Sequence, residues 1–169
     1  MLEQYADYLV NNSLYPAAEL ISVDAIRPYE NQTALAMQSV MGLKAASKLT
    51  GEMKYAKIAD SYAEKIYDEA LGLDGPSVNE STHFTYYYGQ ASTWSVIFAA
   101  FSDVLLDLHT FPAEAWAMQA QWYLQQMQAL GLPFAGPAQN LNYTGSELTW
   151  GLWVIVSCAA RSNLLSTKG

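Results

Sequence analysis

The sequence predicts an all-α fold built from three helical hairpins. Two features carry this: amphipathic stretches with one apolar stripe are paired with stretches that are apolar nearly all round, and a long aromatic-rich loop splits each of the three pairs. Those loops run from Ser13 to Glu30, Leu71 to Gly89 and Leu130 to Gly145, whereas Thr50-Gly51 and His109 to Pro112 are tight turns. With 169 residues and 51% hydrophobic side chains, residues 1–169 are expected to form a single helical domain with a substantial core.

The elements follow in order. Leu2, Tyr5, Ala6, Leu9 and Val10 put one apolar stripe on a first helix, which Asn11 to Ser13 end. Asn31 to Thr50 form the second, where Leu35, Met37, Val40, Met41 and Leu43 point in many directions and call for enclosure; Gly51 stops it. In the third, Glu52 to Ala70, the residues Tyr55, Ile58, Ala59, Tyr62, Ile66 and Ala70 share a face, while Lys57, Asp60, Glu64, Lys65 and Asp68 lie elsewhere. The fourth is expected from Gln90 to Leu108, enclosed through Trp94, Ile97, Phe98, Phe101, Val104 and Leu105. Pro112 is expected at the first position of the fifth, whose stripe is Ala113, Trp116, Ala120, Tyr123, Leu124 and Met127 against Gln121, Gln125 and Gln128. Ser146 caps a sixth helix running to about Leu165, apolar through Trp150, Trp153, Val154, Ile155 and Val156.

The order is outer, inner, outer, inner, outer, inner, the alternation of an (α/α)6 toroid in which each hairpin gives one helix to an inner barrel and one to a shell. Six hairpins close such a ring and this chain has three, so the inner helices are expected to need a partner surface: a second copy, an upstream half, or their own compact bundle. In an antiparallel array the three long loops emerge at one end. That end would hold Asp24, Arg27, Glu30, Asp74, His83, Tyr86, Tyr87, Tyr88 and Tyr143, a set of carboxylates, one imidazole and phenols.

Composition excludes several classes. Sixteen acidic against eight basic residues give a net charge of −8, which disfavours nucleic acid and anionic membranes as partners. The most apolar run, Leu148 to Ala160, falls short of the roughly 20 residues a bilayer span needs. Cys158, the only cysteine, lies inside that run as a packed side chain. With two histidines and no cysteine pair, neither a zinc site nor any other metal or cofactor is expected. Asn11, Asn31, Asn79 and Asn142 each begin an N-x-Ser/Thr glycan acceptor, where chance supplies roughly one among seven asparagines. This excess points to a secreted, extracellular protein. Met1-Leu2-Glu3-Gln4 leads straight into a helix without a basic start and apolar core, so the expectation is either an upstream portion or a protein that is not secreted.

Several segments carry a resemblance. Leu71-Gly72-Leu73-Asp74-Gly75, Ser92-Thr93-Trp94, Asp103-Val104-Leu105-Leu106-Asp107-Leu108, Phe111-Pro112, Met118-Gln119, Trp122-Tyr123, Gly131-Leu132-Pro133 and Tyr143-Thr144-Gly145-Ser146-Glu147 occur in the order and spacing of the carboxy-terminal region of fungal secreted glutaminase A proteins. The opening, Leu2-Glu3-Gln4-Tyr5 through Leu14-Tyr15-Pro16 and Asn31-Gln32-Thr33-Ala34-Leu35, is similar too. The resemblance covers most of the chain. It implies the last portion of a glycosylated multi-domain protein with a six-hairpin toroid that hydrolyses L-glutamine to glutamate and ammonia.

The chain departs from that pattern on the loop face. Ser22-Val23-Asp24 keeps one carboxylate where the family has a double Asp followed by Phe, Pro133 to Pro137 loses an Asp and an Arg, Gly145 replaces a Lys, and Glu147 stands where Asp is usual. For amide hydrolysis a carboxylate pair supplies general base and general acid, and Asp24 and Glu147 are the candidates. Asp24 bonding loop amides and Glu147 favoured by a helix dipole are the plain structural alternatives. Arg27, His83, Tyr87 and Tyr143 are candidate contacts for a small-molecule or sugar ligand, stacking being what a tyrosine run offers. Ser146 reads as a helix cap and Trp94, Trp150 and Trp153 as core. Two functions stay open: an amidohydrolase or toroidal hydrolase, and a non-catalytic binding or assembly module with a degenerate site.

Overall fold

The computed structural model describes residues 1–18, 29–129, 131–133 and 135–136. Within them the fold is all-α, with five α-helices, one short 3-10 turn at Val78–Glu80 and only isolated β-bridges. The expected sixth helix, with Cys158, Trp150 and Trp153, lies outside the described residues.

Helix α1 spans Leu2–Asn12 and buries only Ala6, with Leu9 and Val10 partly covered. Its stripe is narrower than expected, because Leu2 and Tyr5 are 43% and 64% exposed. What holds α1 is polar as much as apolar. From the next hairpin the Tyr55 hydroxyl donates to Asp7 Oδ1 at 2.8 Å and the Tyr62 hydroxyl to the Val10 carbonyl at 2.7 Å.

Helix α2, Thr33–Thr50, is the enclosed one: Thr33, Ala34, Ala36, Met37, Val40, Met41, Leu43, Ala46 and Ser47 are all buried, a set far wider than one stripe that leaves a narrow exposed face at Gln38 and Leu49. Gly51 ends it at φ 79°, a left-handed conformation that costs glycine nothing and any residue with a Cβ something. Helix α3, Met53–Tyr67, buries a single stripe of Tyr55, Ala59, Ala63, Ile66 and Tyr67 and turns Lys57, Asp60, Glu64 and Asp68 to solvent. It starts and stops inside the expected span, with Ala70 in the following turn at φ 59°. Lys44 of α2 bonds Asp60 of α3 along the hairpin.

The second inner element differs from expectation. Helix α4 is only Ala99–Leu105, and residues 90–98 are not helical. Thr93, Trp94, Ser95, Val96 and Ile97 are buried in succession, as in extended chain covered on both faces; a helix on a core would leave some of them facing out. Nor is α4 enclosed all round, since Phe101 and Leu105 are 42% and 65% exposed. Helix α5, Ala113–Gln126, has Pro112 as the extended residue ahead of it instead of at its first position. Trp116, Ala120 and Tyr123 are buried and Gln121, Gln125 and Gln128 exposed, as the stripe requires, but Leu124 and Met127 face outward at 58% and 38%.

The inner helices run in the same direction. Lys48, in the last turn of α2, donates to the Asp107 carbonyl at 2.7 Å and the Leu106 carbonyl at 3.3 Å, just past the end of α4. The α4–α5 hairpin is fastened by buried Asp103, whose carboxylate accepts from the Thr110 amide at 2.9 Å and Trp116 Nε1 at 3.1 Å. Parallel inner helices with antiparallel outer ones are the hairpin-to-hairpin repeat of an α/α toroid.

Candidate functional site

Parallel inner helices place their amino ends together, and the long loops meet there. The Asn31 amide donates to the Pro16 carbonyl at 2.8 Å, closing the base of the first loop, and the Tyr88 hydroxyl donates to the Leu14 carbonyl at 2.9 Å. Thr33, the first residue of α2, gives its amide to the Tyr86 carbonyl at 2.9 Å, and Tyr88 gives its amide to the Asn31 carbonyl at 3.1 Å. The third loop arrives through the Gly136 amide, which donates to the Trp94 carbonyl at 3.0 Å.

Where these strands of chain cross, the side chains form a small apolar cluster separate from the main core. Tyr86 and Ala135 are buried in it, with Tyr29, Leu35, Tyr87 and Phe98 partly covered around them. Tyr29 and Tyr87 stack at 5.1 Å with ring planes 11° apart, and Tyr86 meets each edge-on at 5.8 and 5.5 Å. Leu35 lies in the first turn of α2 and Phe98 immediately precedes α4, so the cluster floors the mouth between the two inner helices. Tyr87 was expected here; Tyr29, preceding the second helix, carried no sequence signal beyond its aromaticity.

Behind the mouth lies a second arrangement. The Asp74 carboxylate accepts from the Thr82 amide and the Thr82 hydroxyl, both at 2.7 Å, and from the His83 amide at 3.0 Å. Burial pushes the Asp74 carboxyl up, but the His83 amide, the Thr82 hydroxyl and amide, and the imidazole together hold it below its ordinary value. His83 is 3% exposed and stacks on Trp122 with ring centroids 3.9 Å apart. Its Nε2 is 3.1 Å from the Thr93 carbonyl, which only accepts, so Nε2 carries the proton; Nδ1 is 2.9 Å from the Thr82 hydroxyl, whose single proton serves either it or Asp74 Oδ2, and 3.3 Å from Asp74 Oδ2 itself. Burial lowers the imidazole pKa against the opposing pull of Asp74 and the Thr93 carbonyl. Both nitrogens and one ring face are engaged by the protein itself, so this geometry gives His83 the work of holding the loop.

The segment Thr82 to Tyr88 is extended but not a strand. Its His83, Phe84, Thr85 and Tyr86 are buried in succession, and its partners are short bridges, Leu73 to Phe84 and Gln32 to Tyr87. Buried Gln119 of α5 accepts the Phe84 amide at 2.8 Å through Oε1, and the Tyr123 hydroxyl joins the Ser95 carbonyl to the Ile97 amide, both at 3.0 Å. Asp103, Gln119 and Trp122 are thus structural residues, which the sequence reading quoted only within the segments of the resemblance and gave no role; a further signal was a polar group on the apolar side of each stripe. Asp24, Arg27, Asn142, Tyr143 and Glu147 lie outside the described residues. The described chain on either side of residues 19–28 is pinned at this mouth, by the contact of Pro16 with Asn31, and Gly136 leaves it beside Trp94. Asn11 and Asn79 are exposed and Asn31 is half-buried.

Comparison with known proteins adds the relationship. The family model for the glutaminase A six helical-hairpin domain matches residues 1–167. Among curated proteins, a glutaminase A of Aspergillus oryzae is 25% identical over 138 residues, covering 79% of this chain and 20% of that protein. A probable glutaminase of Arthroderma benhamiae is 26% identical over 198 residues, covering 97% of this chain and 22% of that protein. The chain therefore spans about a fifth of the length of these relatives. No solved structure shows significant similarity.

Proposed function

This chain belongs to the glutaminase A six-helical-hairpin family, and from that premise we propose that it forms part of an amidohydrolase acting on L-glutamine at the loop-end mouth. The observation that supports this best is the meeting of the long loops over the Tyr29–Tyr87 stack, at the amino ends of two parallel inner helices. In this reading Asp24 takes a proton from the attacking water, which adds to the side-chain carbonyl carbon of glutamine. Glu147 gives a proton to the departing nitrogen, releasing ammonia and leaving glutamate. Arg27 pairs with the substrate carboxylate, while Tyr87 and Tyr143 border the site; the Asp74–His83 pair keeps the loop behind them in place.

The test is ammonia release from L-glutamine by the purified chain, beside the Glu147→Gln, Asp24→Asn and Tyr87→Ala variants. Turnover abolished by either carboxylate change, and a raised KM for Tyr87→Ala, is the expected pattern. Absence of turnover in the unaltered chain rejects the reading.

A second reading is a non-catalytic assembly module, favoured by the exposed inner-helix residues Phe101, Leu105 and Leu106, at 42%, 65% and 53%. Light scattering over a range of concentrations tests it; association supports a module that pairs with itself, and a monodisperse monomer counts against it.

A further inference from the structure

We infer that Asn79 bears an N-linked glycan, and that Asn31, although its sequence motif is equally good, does not. Four acceptor motifs stand where chance supplies roughly one, and the relatives are fungal, so the chemistry has a natural setting. Sequence alone ranks the four equally. The structure separates the three that lie among the described residues.

Asn79-Glu80-Ser81 occupies a turn of its own making. The Gly75 amide donates to Ser81 Oγ at 3.1 Å, Ser81 Oγ donates to the Ser77 carbonyl at 2.7 Å, and Ser77 Oγ donates to Glu80 Oε1 at 3.0 Å. Gly75 lets this loop close, because a Cβ there would sit 2.4 Å from the Glu80 carbonyl oxygen. The turn is held without the Asn79 side chain, which is exposed and makes no hydrogen bond among the described residues. A large polar substituent on its amide nitrogen therefore displaces nothing.

The other two motifs are built into the fold. Asn31 is half-buried in a left-handed turn at φ 58°, its amide and carbonyl both bonded, and the two residues after it, Gln32 and Thr33, are 0% exposed. Thr33 Oγ1 is 3.2 Å from Thr85 Oγ1 in the interior. A glycan on Asn31 would stand at the junction of Pro16, Tyr87 and Tyr88 that ties the loops to α2. Asn11 is exposed, but its side-chain Nδ2 donates to the Asp7 carbonyl at 2.9 Å within α1, and Ser13 is buried with its hydroxyl on the Leu9 carbonyl at 2.6 Å.

In the transfer the Asn79 amide nitrogen attacks the anomeric carbon of an oligosaccharide carried on a polyprenyl diphosphate. The N–C1 bond forms, the amide gives up one proton, and the C1–O bond to phosphate breaks with the lipid diphosphate leaving. The donor and transferase belong to the secretory pathway of the host cell.

The test is secretion of the full chain from a yeast behind a cleavable signal, release of glycans in oxygen-18 water by a peptide N-glycosidase, and peptide mapping of the resulting labelled aspartates. Label at position 79 and none at 31 is expected. Asn79→Gln should remove the label at 79 and one glycan's worth of mobility shift with no loss of secreted yield. Ser81→Thr, which keeps the motif, should retain both. An unlabelled position 79 in folded, secreted chain, or occupancy of Asn31 equal to it, overturns the inference.

Discussion

The two inner helices, α2 and α4, are made of similarly apolar sequence and end up differently. Helix α2 runs for 18 residues and buries nine of them, leaving a narrow face at Gln38 and Leu49; α4 manages seven and leaves Phe101 and Leu105 in solvent. Apolar content alone did not set their length. Helix α2 has α1 and α3 along its flanks and a run of extended chain at its amino end, whereas the residues before α4 are claimed by backbone partners from elsewhere. Ser95 and Ile97 bond the Tyr123 hydroxyl, and Trp94 bonds the Gly136 amide, which a helical geometry over the same residues would forgo.

Substitutions along the two helices sharpen this contrast. Leu43→Ala, inside α2 at 0% exposure, should cost about 3 kcal/mol in denaturant unfolding, the expected loss for a large-to-small change in a closed core. Asp103→Ala should cost about 2 kcal/mol, because it leaves the Thr110 amide and Trp116 Nε1 buried without an acceptor; Asp103→Asn should recover part of that. Gly51→Ala should cost about 1 kcal/mol through backbone strain, since the position is left-handed and the space beside it empty.

Acidity supplies the next test, because His83 joins the extended run supporting α2 to Thr93, on the chain leading to α4. Unfolded, its imidazole takes up a proton near pH 6.5; folded, burial keeps it neutral to lower pH. The stability that this provides is complete above the unfolded value and declines as pH falls from there through the lower folded value. His83→Gln should flatten that decline in the denaturant midpoint. The smallest effect belongs to Leu105→Ala, below about 0.5 kcal/mol. A cost comparable to Leu43→Ala would show that the exposed face of α4 is covered in solution.

Much of the helical layout was legible, and particular residues explain why. Tyr55, Ala59 and Ile66 repeat at the helical period on α3, and Gly51 ends α2 where a left-handed residue is needed. The error over residues 90–98 has a physical cause: Thr93, Trp94, Ser95, Val96 and Ile97 are mainly β-branched or aromatic and suit extended chain, but a short apolar run looks alike in both conformations. The tyrosine run was readable as a site feature, while its stacking partner Tyr29 was not, since nothing local records a contact made 58 residues away. Asp74 and His83 were assigned to one end of the molecule, but their contact depends on a loop doubling back, which periodicity does not encode.

The same-direction pairing of α2 and α4 bears on how the chain acquires its shape. Lys48 reaches carbonyls 58 and 59 residues onward, and Tyr88 reaches back 74 residues to Leu14, whereas α2 and α3 meet through Lys44 and Asp60 only 16 residues apart. Closing a longer span of flexible chain costs more entropy, and contacts of high sequence separation slow the conformational search. On these separations the α2–α3 hairpin is expected to form first and the tyrosine-floored mouth last, an order that φ-values for Ala59→Gly and Tyr87→Ala would test.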